Sequence, residues 1–114
     1  MADTLNLTTG RTVVLDASGG GQVSLGPDSP GPANWRVTGI VVQTNRPGKS
    51  PIPRVQIYLN EVDPTNSLGV SFNGSFQPFG GEQVLTRGQH LIIAWSGGQA
   101  GDQATATVNG EKWN

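Results

Sequence analysis

Apolar residues in this chain recur with a period of two, and turn formers interrupt them about every 10–12 residues. "VQIYLN" sets Val55, Ile57 and Leu59 on one face against Gln56, Tyr58 and Asn60 on the other. "ATATVNG" sets Ala104, Ala106 and Val108 against Thr105 and Thr107, and "RTVVLD" and "QVSLG" are shorter runs of the same kind. Two is the side-chain repeat of a β-strand, so each run offers one face to a core and one to water. No window of about 12 residues carries a helical repeat.

The breakers are "SGGG" at 18–21, "GPDSPGPAN" at 26–34, "RPGKSPIP" at 46–53, "DPTN" at 63–66, "FNGS" at 72–75, "FGGE" at 79–82, "TRG" at 86–88 and "SGGQAGDQ" at 96–103. They divide the chain into strands expected near 4–8, 11–16, 21–26, 35–45, 54–61, 69–78, 83–96 (with a break near Arg87) and 103–109. About eight short antiparallel strands predict an all-β fold, an antiparallel β-sandwich of jelly-roll type. Residues 11–114 form its single domain, and residues 1–10 are expected to leave it as an extended arm. Two runs lose the alternation: "WRVTGIVVQ" and "HLIIAW". Continuous apolar runs suit central strands covered on both faces. In "FNGSF", Asn73-Gly74 is the pair that a type I′ hairpin turn favours. Phe72, Phe76 and Phe79 would then form either a binding ridge or part of the core.

At 114 residues, the chain fits one domain large enough to bury a core. Seven basic and eight acidic side chains give a net charge of −1, without the basic face that nucleic acid requires. Arg46, Lys49 and Arg54 cluster among prolines and read as a solvated loop. There is no cysteine, so disulfides, thiolate metal sites and cysteine nucleophiles are excluded. No apolar run approaches the ~20 residues of a membrane-spanning helix, and no membrane partner is expected. "MADTLNLTTG" lacks the basic-then-apolar order of a signal peptide. The expectation is synthesis in a cytoplasm, with the sequons at Asn6 and Asn73 unused.

Little in the chain looks chemical. Gly48-Lys49-Ser50 follows a strand like the end of a P-loop, but Gln43 stands where the first glycine belongs. Pro51 and Pro53 also forbid the helix that must follow. His90 is the only histidine, Ser96 has no base beside it in sequence, and no G-x-S-x-G occurs. Glu61, Asp63 and Asp102 lie in or beside loops without the spacing of a calcium loop. The expectation is a non-enzyme with no catalytic residue, metal or cofactor.

The tryptophans say more. Trp35 opens one long strand and Trp95 closes another, both beside Gly/Pro-rich turns. They either cap the core at the rim or, with Tyr58, form a stacking platform for a glycan. Trp113 stands beyond the last expected strand and calls for cover by its own domain or a neighbour. On an extended arm, Leu5 and Leu7 would share one face, ready to add a strand to a neighbour's sheet. Leu5, Leu7 and Trp113 are thus the candidate partner contacts.

"VSLGPDSPGPANWRVTGIVVQT", "VQIYLNEVDPTNSLGVSFNGSF" and "LTRGQHLIIAWSGGQAGDQATATVNGE" together cover residues 22–111. Their order is a Leu-Gly-Pro corner, a Trp before alternating valines, an Arg-Gly-Gln turn, an Ala-Trp strand end and an Ala/Thr-rich last strand. This texture resembles small β-sandwich structural proteins of tailed phages that infect actinobacteria. The resemblance implies a non-enzymatic virion protein, most simply a capsid decoration protein that binds and stabilises the shell. The alternative is a minor tail or tail-tip protein whose sandwich binds a host-surface glycan. Implied partners are the major capsid protein or tail proteins, and further copies of the chain, as in the trimers usual at shell three-fold positions. The segment 1–21 falls outside the resemblance.

Overall fold

The computed structural model describes residues 5–27, 32–45, 53–71, 74–76 and 82–113. Nine strands run in chain order: β1 (Leu5–Val14), β2 (Gly21–Leu25), β3 (Asn34–Thr44), β4 (Arg54–Leu59), β5 (Ser67–Ser71), β6 (Gly74–Phe76), β7 (Gln83–Thr86), β8 (Leu91–Ser96) and β9 (Gln103–Trp113). A 3₁₀ turn, Pro64–Asn66, precedes β5. All strand pairs are antiparallel. One sheet has the order β1-β9-β3, with β6 and β7 sharing the far edge of β3; the other has the order β2-β8-β4-β5. β6 pairs with Ile40–Val42 and β7 with Asn34–Val37, so the two short strands occupy one lane. Nine strands therefore fill eight lanes.

The pairing nests. β1 takes β9, β2 takes β8, β3 takes β7 and β6, and β4 takes β5, alternating between the sheets. This is a jelly roll: one long hairpin wound so that successive partners fall in opposite layers. The core between the layers holds Leu7, Leu15, Val23, Leu25, Trp35, Val37, Ile40, Val42, Val55, Ile57, Leu85, Leu91, Ile93, Trp95, Ala104, Ala106 and Val108. The period-two faces read in β4 and β9 are the ones buried. β3 and β8 are central, each paired on both sides.

The broken alternation in "WRVTGIVVQ" has a local cause. Between Val37 and Gly39 the register with β9 shifts, leaving Thr38 as a bulge. Before it the buried residues are Trp35 and Val37; after it they are Ile40, Val42 and Thr44. An extra residue moved the inward set from odd to even numbers. β8 alternates without interruption, with Leu91, Ile93 and Trp95 inward, and its outer Ile92 and Ala94 half-buried.

Three boundaries differ from expectation. First, where two strands at 4–8 and 11–16 are expected, β1 runs unbroken across Thr9 and Gly10, each residue paired with β9. The arm is corrected with them: residues 5–10 belong to the sandwich, because ten pairings with β9 and a buried Leu7 hold them there. Second, "FNGSF" is not a hairpin. Its flanks β5 and β6 lie in different sheets, β5 on β4 and β6 on β3, so the chain crosses between layers there. Third, the run 69–78 is two strands for the same reason, with Phe72, Asn73 and residues 77–81 outside the described set. The expected ridge of Phe72, Phe76 and Phe79 turns on residues outside that set. As expected, 83–96 breaks near Arg87: Gln89 donates its N–H to Thr86 O at 2.9 Å, and the chain passes from β7 in one sheet to β8 in the other.

The Gly26-Pro27 corner is a packing joint. A side chain at Gly26 would overlap the Gln89 carbonyl oxygen and the His90 ring, so only glycine fits, and Pro27 is fully buried beside it. β2 before it and β3 after it lie in different sheets, and Trp35 of β3 enters the core.

At one end of the sandwich the β1–β2 loop is tied to the β8–β9 loop. Gly98 N–H donates to Gly19 O at 2.9 Å, Gly101 N–H to Leu15 O at 2.9 Å, and Leu15 N–H to Asp102 O at 2.8 Å. Asp16 organises its own loop: Oδ1 accepts from Ser18 Oγ at 2.7 Å, Ser18 N at 2.9 Å and Gly20 N at 3.0 Å. The Ser18 hydroxyl and then the Gly20 and Ser18 amides hold the Asp16 carboxyl below the usual carboxylate range. A lowered native pKa means the contribution is full above the unfolded value and is lost as pH falls through the folded one. Asp16→Ala is therefore expected to lower the melting temperature at neutral pH and to flatten its decline on acidification, read by thermal melts across the acid range. An acid decline as steep as that of the wild type would show that Asp16 does not carry the effect.

Candidate functional site

The three residues offered as a stacking platform do not form one. Trp35, Tyr58 and Trp95 expose 9%, 7% and 2% of their surface. Trp35 and Trp95 point inward, each in step with core neighbours: Trp35 with Val37, Trp95 with Leu91 and Ile93. They fill the core, and the glycan platform is corrected on that ground, since a sugar stacks only on an exposed ring face. Trp95 Nε1 is buried and has no hydrogen-bond partner among the described residues, an arrangement that costs about 1–3 kcal/mol against a satisfied group. Tyr58 has the opposite parity to Val55 and Ile57, so it stands on the outer face of its sheet. There its hydroxyl donates to Gln56 Oε1 at 2.6 Å.

Of the three expected partner contacts, one is withdrawn. Leu7 is 2% exposed and part of the core, whereas Leu5, two residues earlier on the same face, is 54% exposed. β1 thus runs from the covered core to its uncovered rim. Deleting residues 2–10, which would spare the fold if they were an arm, removes residues 5–10 of the 10-residue β1 and with them the buried Leu7. The truncated chain is expected to melt well below the full-length one, and an unchanged melt would contradict the pairing of β1 with β9.

Trp113 lies at the last residue of β9, opposite Asn34 of β3. The Arg36 guanidinium sits 5.5 Å from its ring centroid. Arg36 Nε is 3.5 Å from Glu82 Oε2 and Nη1 is 3.8 Å from Glu111 Oε1. The paired side chains are about half exposed, with Arg36 Nε itself buried, and each pair is worth at most about 1 kcal/mol; the cation–π contact adds a similar amount. Their joint effect is positional: they hold the Trp113 indole along the outer face of the sheet. Val84 on β7 is exposed on the same face, beside Arg36 in register. Leu5 lies near this end but on the other face, opposite Lys112. One end of the β1-β9-β3 sheet thus presents Leu5, Val84 and a braced Trp113.

The polar side chains that could have carried chemistry hold the fold together. Asp63 Oδ1 accepts from Thr65 N at 2.9 Å and Thr65 Oγ1 at 2.8 Å, capping the 3₁₀ turn whose first residue is Pro64. The Thr65 amide and hydroxyl lower the Asp63 pKa. Asn60, at φ 67°, takes the left-handed conformation and accepts the His90 N–H on Oδ1 at 2.9 Å, while its own N–H donates to His90 O at 2.8 Å. Asn66 Nδ2 donates to Leu59 O at 2.7 Å. His90 is therefore tied into a structural joint, and Glu61 and Asp63 lie in the loop it anchors. Among the described residues no three His, Asp or Glu side chains gather as a metal would need. Arg54 is exposed at the start of β4, and Arg46 and Lys49 lie outside the described residues.

The sequence signal for the tryptophans was their parity with neighbouring core residues. The Arg36–Trp113 pairing had no such signal, because it joins two strands 77 positions apart in register only after β3 and β9 align. No protein-family model matches the chain, and no curated protein matches it.

Proposed function

We propose that the protein is a non-enzymatic structural component of a tailed-phage particle, a capsid decoration protein that binds and stabilises the shell. The observation that carries this reading is how the polar side chains are used. Asp16, Asp63, Asn60 and Asn66 turn their oxygens and amides on the chain's own backbone, stapling loops. Among the described residues, exposed Leu5 and Val84 with the half-buried Trp113 give one end of the β1-β9-β3 sheet an apolar rim for another molecule. The jelly roll recurs in capsid and lectin domains alike, so the fold alone does not choose between shell and glycan. With Trp35 and Trp95 in the core, the glycan reading has lost its residues, and shell binding is favoured. A decoration protein adds buried area across joints of the shell, with each contact of standard size burying ~1,600 Å² and repeated by symmetry.

Particles assembled without the protein are expected to release their genome at a lower temperature than complete ones, and added purified protein should restore the difference. Equal release temperatures with and without the protein would contradict the stabilising role. Within this reading Leu5→Asp and Trp113→Ala each weaken particle binding by about tenfold or more, as loss of a buried apolar contact does, while the isolated protein keeps its melting temperature within a few degrees. Wild-type affinity in both variants would place the contact elsewhere on the surface.

A further inference from the structure

The four edges of the two sheets are not alike. The far edge of β3 carries β6 and β7, strands of 3 and 4 residues in a shared lane. β2 is 5 residues long, and β5 is 5 residues long with a register shift opposite Ile57 and Tyr58. Short, bulged or divided strands are the usual means by which a protein blunts an edge against another strand. β1 has none of these features. It is 10 residues long and pairs with β9 at every position without a bulge. Its sequence, LNLTTGRTVV, has no proline and a single charge, Arg11. Among the described residues β9 is its only strand partner, leaving an open edge roughly 33 Å long. Leu5 and Val14, at its two ends, are exposed.

We infer that β1 is a docking edge, and that its occupant is β1 of a second copy, paired antiparallel across a two-fold axis at Gly10. Such an axis, perpendicular to the sheet, keeps core-side residues on the core side, so residues of like parity meet. With the axis at Gly10, Leu7 faces Val13 of the second copy and Thr8 faces its Thr12. The first pair lies on the core side, where Val13 is only partly covered by its own sandwich. The second repeats a contact already made within the chain, where Thr12 Oγ1 and Thr105 Oγ1 are 2.9 Å apart. Arg11 faces Thr9 of the second copy, so the two arginines are diagonal neighbours rather than directly opposite, and their exposed side chains can turn apart into water. Charge and length together favour a second copy: the edge calls for an extended strand of about its own length, almost uncharged, and β1 is one. The product is a closed dimer with a continuous sheet of eight lanes, four from each copy, and no open β1 edge.

The test is the solution mass across a concentration series, by sedimentation or light scattering, for the full chain. The wild type is expected at twice the 11.9 kDa chain mass. The variant T8K/T12K puts Lys opposite Lys at two exposed positions on each side of the axis and should halve that mass. T8E/T12E should do the same. Mixing the two variants should restore the dimer, which also shows that both are folded. A wild type that stays monomeric at every concentration, a trimer, or a dimer untouched by T8K/T12K would each overturn the proposal. So would failure of the two variants to reassociate while each retains a cooperative melt.

Discussion

Gly110→Ala is expected to cost about 3 kcal/mol or more and to lower the melting temperature by roughly 10–15 °C. Gly110 lies in β9 directly opposite Val37 of β3 and Leu7 of β1, on the core side of the sheet. It stands beside the Thr38 bulge, where the register of β3 and β9 shifts. A Cβ at this position would overlap the Arg36 carbonyl oxygen, with the Arg36 carbonyl carbon 2.9 Å away and the Thr38 nitrogen 3.1 Å away. These are backbone atoms in a paired strand, so no side-chain rotation relieves the overlap, and the central pairing of the sheet must open. Gly101→Ala is the control. Gly101 has φ 89° and open space where a Cβ would go, so only the left-handed conformation is penalised, at about 1 kcal/mol. Chemical denaturation of both variants should separate the two costs. Equal losses would show that β3 and β9 do not approach as described.

The second large effect belongs to Trp95. Trp95→Ala is expected to cost about 3–5 kcal/mol, the range for emptying a large aromatic site in a core. Trp95→Phe should cost clearly less. Part of the indole volume is kept, and the buried Nε1 donor, which has no partner among the described residues, is removed. Fluorescence supplies an independent reading. In the wild type, an aqueous quencher should reach Trp113 and leave Trp35 and Trp95 largely untouched, and Trp113→Ala should abolish most of the quenchable signal. Strong quenching that survives Trp113→Ala would mean that Trp35 or Trp95 faces water, reviving the glycan platform.

The jelly-roll class was legible because it rests on local facts: runs of period two, dense turn formers and no helical window. The central placement of β3 and β8 was legible from their apolar richness, although for β3 the broken alternation came from the Thr38 bulge. A one-residue slip of phase inside "WRVTGIVV" could be read either way until β9 lay beside it. The strand order was not legible, since it depends on pairings such as Leu5 with Lys112, set by the winding of the whole chain. For the same reason the first residues looked like an arm: "MADTLNLTTG" has no strong core pattern of its own, and its partner lies at the opposite end of the sequence. The Asn73-Gly74 signal indicated a tight hairpin, and layer crossing between β5 and β6 overrode it.

At the candidate site the residue types pointed the right way only in part. Trp35 and Trp95 were recognised as rim residues beside turns, and the parity of Val37, Leu91 and Ile93 placed them inside. Tyr58 kept its parity, outward on its strand, yet it is buried there with its hydroxyl held by Gln56. Leu5 and Leu7 shared a face as expected, but the core covers one and stops short of the other. That boundary depends on where the opposite sheet ends, a fact of tertiary packing that two leucines in a row of threonines do not encode.

The most direct test of the account is the position of the protein on purified particles, seen by imaging a labelled copy. The account predicts label spread evenly over the heads, at symmetry-related positions. Label confined to the tail, or absent from every particle, would contradict it.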